Sequence, residues 1–137
     1  MKILRKKILK SRLLATRENK ILVLQKVGDK IKYTLPGGIK KKTESSKKAL
    51  VREVEEEIGV KIARIDLKYI SSGVFVKEGI TTIKSYYSLK KPIQDTPVVL
   101  ELDKFSAVLW LSWKKAIKKM DLSDKLAIKQ YYKNLKD

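Results

Sequence analysis

Apolar positions along this chain fall into runs whose spacing changes with position. Leu13 to Thr16 and Ile21 to Val27 are short apolar runs parted by the polar Arg17-Glu18-Asn19-Lys20. A second turn, Val27-Gly28-Asp29-Lys30, precedes the alternating Ile31-Lys32-Tyr33-Thr34-Leu35. This pattern predicts three strands joined by turns. Leu35-Pro36-Gly37-Gly38 should end the third, because proline removes a donor and glycine resists regular structure. Ser45 or Thr43 then caps a helix running to about Ile58, which Gly59 terminates. Val60 to Ser72, Val74 to Lys77 and Thr81 to Leu89 are rich in β-branched and aromatic residues, with Lys77-Glu78-Gly79 closing a hairpin. Lys90 to Lys104 reads as a long loop and Phe105 to Leu111 as a strand. Ser112 opens a short basic helix through Met120, and Ser123 or Asp121 opens a last helix ending near Leu135. No repeat or linker interrupts the pattern, so residues 1–137 are expected to form one mixed α/β domain.

Composition narrows the chemistry. The chain has no Cys and no His, which excludes thiol nucleophiles, imidazole bases and the usual zinc sites. Catalysis is left to carboxylates, Lys, Arg, Tyr, Ser or Thr, and to metals that accept hard oxygen ligands. Absent cysteines suit a reducing compartment, and a cytoplasmic location is expected. The net charge of +18 suits polyanionic partners, meaning nucleotides, nucleic acid or an anionic membrane face. Only five of the 33 basic residues are Arg, however, and the lysines are spread through every segment, so biased composition explains much of that charge equally well. The basic start MKILRKKILKSRLLATR lacks the unbroken apolar stretch of a secretory signal and reads as a first strand or a basic arm. No stretch approaches the roughly 18 apolar residues of a membrane span, and no membrane association is expected.

The informative segment is Gly38 to Val60, GIKKKTESSKKALVREVEEEIGV. Leu50, Val54 and Ile58 stack at i, i+4 and i+8 on one helical face, which belongs in the core. Glu53, Glu56 and Glu57 lie on another face at i, i+3 and i+4. Like charges at such spacing destabilise a helix by roughly 0.2–0.5 kcal/mol per pair. They also sit near the helix C-terminus, where the macrodipole disfavours negative charge. Such a cluster suits a hard divalent cation, which would counter the charge of substrate phosphates. The Leu-Pro-Gly-Gly approach fits this, since bare backbone comes close to an ion or a phosphate. A solvated acidic face paired with nearby lysines accounts for the spacing as well.

The whole segment resembles the Nudix box, G-x5-E-x7-R-E-U-x-E-E-x-G-U with U an aliphatic residue. Gly38, Glu44, Arg52-Glu53, Val54, Glu56-Glu57, Gly59 and Val60 fill its specified positions without a departure. Chance produces such a match on the order of once per billion starting points. The resemblance implies an α/β/α sandwich with a mixed β-sheet and helices on both faces. It implies that Glu56 and Glu57 are Mg²⁺ ligands, with Mn²⁺ a possible substitute, and that Glu53 is a ligand or the general base. Glu44 is expected near the metal, held through Arg52, and a backbone carbonyl at Gly37 or Gly38 to complete the ligand set. Glu101 and Asp103 are candidates for an acid from a later loop, with Glu78 a weaker one.

The implied activity is hydrolysis of a diphosphate linkage in a nucleoside di- or triphosphate-like small molecule, by water attack on phosphorus. Markers of three subgroups are missing. Residues 74–76 read Val-Phe-Val where ADP-ribose enzymes carry a Pro, and residues 76–78 read Val-Lys-Glu where dinucleoside-polyphosphate enzymes carry a Tyr. The longer motif of NADH-cleaving members is absent. Lys40, Lys41 and Lys42 are candidates for holding distal phosphates, and Tyr33 and Phe75 for stacking on a base. The competing reading is a nucleic-acid role: an RNA 5′-end pyrophosphohydrolase, or a basic module that binds RNA without turnover. All four box glutamates are in place, which favours catalysis.

Overall fold

A computed structural model describes residues 6–136. In chain order the elements are β1 (Lys6–Leu14), β2 (Thr16–Arg17), β3 (Lys20–Lys26), β4 (Tyr33–Thr34), β5 (Gly37–Ile39) and α1 (Ser46–Ile58). After a 3₁₀ turn at Arg64–Asp66 come β6 (Leu67–Lys77), β7 (Ile80–Leu89), β8 (Phe105–Ser112), the short α2 (Trp113–Ala116) and α3 (Leu122–Leu135).

The strands form two four-stranded sheets. One has the order β5-β1-β7-β6 and is mixed: β1 runs parallel to β7, and its other pairings are antiparallel. In the second, antiparallel sheet β3 pairs along its length with β8 and at its two ends with β2 and β4.

Both faces of the central strands are covered, which is why Ile21-Leu22-Val23-Leu24 are all buried instead of alternating. Leu13, Leu22, Leu24 and Tyr87 pack with Leu50, Val54 and Ile58 of α1. Their neighbours Leu14, Ile21, Val23 and Tyr86 pack on the other side with Ala127 and Ile128 of α3. Helices on both faces of stacked strands make the α/β/α sandwich. Each large α1 side chain so buried contributes about 1.5–3 kcal/mol.

Several boundaries differ from the sequence pattern. β1 begins at Lys6, so the basic start supplies the first strand and the apolar run at Leu13 is only its end, because pairing with both β5 and β7 carries that segment into the sheet. Met1 to Arg5 of the proposed arm lie outside the described residues. Only Tyr33–Thr34 of the alternating third segment is strand, whereas Gly37–Ile39, expected to break structure, pairs with β1. Of the Val60 to Ser72 stretch only the part from Leu67 is strand, since a 3₁₀ turn takes Arg64–Asp66.

Helix α1 follows its local signals. Ser45, not Thr43, is the N-cap, its hydroxyl accepting from the Lys48 N–H, and Gly59 closes the helix in the left-handed conformation. The helix lies over β1 and β5, so its C-terminal half faces the two glycines of β5.

Candidate active site

Glu53 and Glu57, one turn apart on α1, line a cleft of about 290 Å³ against β5. Four cations share its walls: Lys10 and Arg12 from β1, Lys26 at the end of β3, and Lys104 from the loop before β8. Gly37 and Gly38 form the side facing the helix. A side chain at Gly37 would place its Cβ 1.9 Å from the backbone oxygen of Ser11. At Gly38 it would meet the Glu53 carboxylate at 2.6–2.8 Å. Glycine lets β5 lie close against β1 at Gly37 and leaves the Glu53 carboxylate its space at Gly38.

Glu57 is 4% exposed. Its Oε1 accepts a 2.8 Å hydrogen bond from the Gly37 N–H, and no ion pair holds it among the described residues. Burial pushes its pKa up to about 7, against the pull of the Gly37 N–H and of the Arg12 guanidinium. Glu53 and Glu101 add repulsion in the same upward direction. Glu101, in the loop beside the cleft, accepts from Lys104 Nζ at 3.4 Å through Oε2, while its Oε1 is buried without a partner among the described residues. The loop is held to the helix end by backbone bonds, Leu100 N–H to Glu57 O and Val98 N–H to Ile58 O.

Arg52 organises the outer edge. Its guanidinium donates to both oxygens of Glu44, at 2.6 and 3.1 Å, to Glu53 Oε1 at 3.0 Å and to the Ile39 carbonyl at 3.2 Å. The Glu44 carboxylate also accepts from the Lys41 N–H. Arg52, then that N–H, hold the Glu44 pKa down at about 2. Arg52 therefore ties the box loop, β5 and Glu53 together as a clamp. Glu56 falls on this side too, half exposed and 3.3 Å from Arg52 Nη1. Glu53 and Glu57 thus share the cleft, and Glu56 stands outside it, bonded to the clamp. As the side chains stand, no group of three or more acids among the described residues is gathered closely enough to cage an ion.

The other expected residues are scattered. Asp103 is exposed, and Glu78 sits at the tip of the β6–β7 hairpin. Lys41 and Lys42 are exposed on the box loop, and Lys40 turns its ammonium to the Lys41 carbonyl; none of the three lines the cleft. Phe75 lies on β6, at the far edge of its sheet from β5, with its ring against Gly73. Tyr33 lines a neighbouring pocket. The cations that do line the cleft, Lys10, Arg12, Lys26 and Lys104, were not anticipated. Lys10 and Arg12 carried a signal: two positive charges at i and i+2 share one face of a strand. Arg12 donates to the carbonyls of Leu35 and Gly37 at 3.2 and 3.1 Å, bracing the glycine segment. An ion approaching the Gly37 carbonyl would share that oxygen with the Arg12 guanidinium and meet its charge.

The NUDIX domain profile matches residues 10–132. No curated protein matches the chain significantly. Solved structures with the same fold include the ORF135 protein of E. coli, at 22% identity and a TM-score of 0.79 over 93% of this chain and 90% of that one. The MutT protein of Methanosarcina mazei Go1 aligns with a TM-score of 0.81 at 17% identity, over 99% of this chain and 100% of that one. The dihydroneopterin triphosphate pyrophosphohydrolase of E. coli aligns with a TM-score of 0.72 at 22% identity, over 97% and 99%. At these identities the likeness carries the fold.

Proposed function

The chain belongs to the Nudix family, and from that premise we propose that it hydrolyses a diphosphate linkage in a nucleotide-like substrate with the help of a divalent cation, Mg²⁺ by preference. The observation that carries this reading is Glu57: a buried carboxylate without an ion pair among the described residues, in one cleft with Glu53 and four cations. Burying a carboxylate without a charged partner is unfavourable, and clefts holding such groups are functional-site candidates. The donor set is hard oxygen throughout, which fits Mg²⁺ or Mn²⁺. Glu53 and Glu57 would hold the ion. Glu56 would join them after exchanging its exposed contact with Arg52, and Glu101 offers its unpaired Oε1. Such an ion supplies charge neutralisation at the phosphoryl oxygens and favours ionisation of water.

The chain's own groups account for the remainder. Lys10, Arg12, Lys26 and Lys104 oppose the negative charge of the diphosphate and set it against the acidic wall. Water attacks one phosphorus, the bridging P–O bond breaks, and the second phosphate leaves with the bond's electrons. Glu53 accepts the proton of the attacking water. Arg52 and Glu44 act as positioning residues, since their bonds fix where the Glu53 carboxylate points.

A product assay with Mg²⁺ and a panel of nucleoside triphosphates, oxidised deoxynucleotides, ADP-ribose and dinucleoside polyphosphates tests the reading. Nucleoside monophosphate plus pyrophosphate is the expected outcome for the triphosphates. Glu53→Gln and Glu57→Gln, made separately, should each lose about a hundredfold in turnover, corresponding to about 3 kcal/mol of transition-state stabilisation. Near-normal turnover in both variants would defeat the assignment.

A further inference from the structure

Lys26 lines two cavities. Beyond the acidic cleft it borders a pocket of about 600 Å³ whose other walls carry Lys30, Lys32, Lys118 and Lys119, with Tyr33 half-buried among them. None of these five lysines forms an ion pair among the described residues. The one acid on the wall, Asp121, is already engaged by Lys84 Nζ, the Ser123 hydroxyl and the Asp124 N–H. The positive field continues through the shared wall: burial, then Arg12, Lys84 and Lys26, hold the Lys10 pKa below the usual lysine range. Charges are screened only over about 8 Å at physiological salt, so lysines crowded on one pocket repel until an anion enters. An aromatic ring set among cations is the arrangement that takes a base by stacking and its phosphate by charge.

The scissile diphosphate needs only the acidic cleft, and a nucleoside triphosphate brings at most one further phosphate to a second pocket that carries five lysines. Resting on the hydrolase reading above, we propose that the substrate is the 5′-di- or triphosphorylated end of a single-stranded oligonucleotide. The terminal phosphates sit in the acidic cleft. The following nucleotides run past Lys26, stacking on Tyr33 and placing their phosphates among Lys30, Lys32, Lys118 and Lys119.

The test compares Lys30→Glu/Lys119→Glu with a control of equal charge change, Lys68→Glu/Lys77→Glu on exposed β6. Binding of a fluorescent 5′-monophosphorylated hexamer, as RNA and as DNA, is followed by anisotropy across a salt series. Turnover with Mg²⁺ is measured on a 5′-triphosphorylated hexamer and on a nucleoside triphosphate. The pocket variant should bind the hexamer at least tenfold more weakly and flatten its salt slope, each lost phosphate contact being worth roughly 0.7 in log–log slope. It should lose at least tenfold in kcat/KM on the hexamer while staying within twofold on the mononucleotide, which also shows that it is folded. The control should stay within twofold throughout. Equal losses in both variants, equal losses on both substrates, or no loss in the pocket variant would each overturn the proposal. Pocket-dependent hexamer binding without turnover of any substrate would instead overturn the hydrolase reading. Mononucleotide turnover with pocket-independent hexamer binding would leave that reading standing and remove this one.

Discussion

Glu57 and Asp124 are the two buried carboxylates among the described residues, and their surroundings differ in kind. Asp124, fully buried on α3, accepts from the Tyr86 hydroxyl at 2.7 Å and from Lys84 Nζ at 3.3 Å. Lys84, itself only 7% exposed, also reaches Asp121 and Ser123. The network joins β7 to the start of α3. Glu57 has the Gly37 N–H and no salt bridge, and its nearest carboxylates repel it. A carboxylate with its cation alongside is a fastening between two elements. One buried without a salt bridge stays free to take a cation, as the proposed function requires.

The comparison breaks hardest at Lys84. Lys84→Met should destabilise the fold by about 3–5 kcal/mol, the usual penalty for stranding one member of a buried ion pair. In a domain of this size that lowers the Tm by roughly 10–20 °C. Mononucleotide turnover per folded molecule should change less than threefold, since Lys84 does not line the cleft. Exchanging the network as a whole, Lys84→Met with Tyr86→Phe and Asp124→Leu, should recover most of the loss, because no charge is then left buried alone. A Tm unmoved by Lys84→Met would show that Asp124 is not a fastening after all.

Glu57→Gln should do the opposite. In the unfolded chain Glu57 ionises near 4.5, whereas the folded protein keeps its proton until about 7. Between those values the native state binds more protons, so this group lowers stability as pH rises from about 4.5 through about 7. Above that window the penalty is on the order of 3 kcal/mol. Thermal melts of Glu57→Gln without divalent ions should therefore match wild type near pH 4.5 and exceed it at pH 8. Adding Mg²⁺ at pH 8 should raise the wild-type Tm and leave the variant's in place, since binding to the native state stabilises by mass action. Below pH 7 a proton competes with the ion, and the apparent Mg²⁺ affinity should weaken about tenfold per pH unit. A variant less stable than wild type at every pH would contradict the whole contrast.

The sequence disclosed these two regions unequally. Local capping signals located α1, and the box resemblance singled out Glu44, Arg52, Glu53 and Glu57, because a helix converts fixed spacing directly into a shared face. It could not separate Glu56 from Glu57. That division depends on Arg52, whose reach to Glu44, Ile39 and Glu56 together exists only once β5 lies beside the helix. The cleft's cations come from β1, β3 and the loop before β8, which only tertiary pairing assembles. The Lys84–Asp124 network spans 40 residues and carried no local signal. Gly37 and Gly38 read as strand breakers in isolation. They form a strand because their lack of side chains permits the close approach to β1 and to Glu53.

Gly38→Ala gives the smallest of these effects and the finest cut. The backbone there is not left-handed, so alanine is tolerated by the chain itself. The added methyl would meet the Glu53 carboxylate at 2.6–2.8 Å, and the far end of a flexible side chain moves before a paired strand does. At Gly37 the obstacle is the Ser11 backbone, which offers no such escape. The Gly38 variant should keep its fold, with stability within about 1 kcal/mol of wild type. Glu53, however, would be displaced from its 3.0 Å bond with Arg52. A displacement approaching 1 Å in a proton-accepting group lowers turnover by about tenfold or somewhat more. The loss should appear in kcat rather than KM, because the cations lining the cleft are untouched. Full kcat with Glu53 pushed aside would mean that the proton of the attacking water goes elsewhere, and Glu57, the carboxylate beside it, would be the next to test.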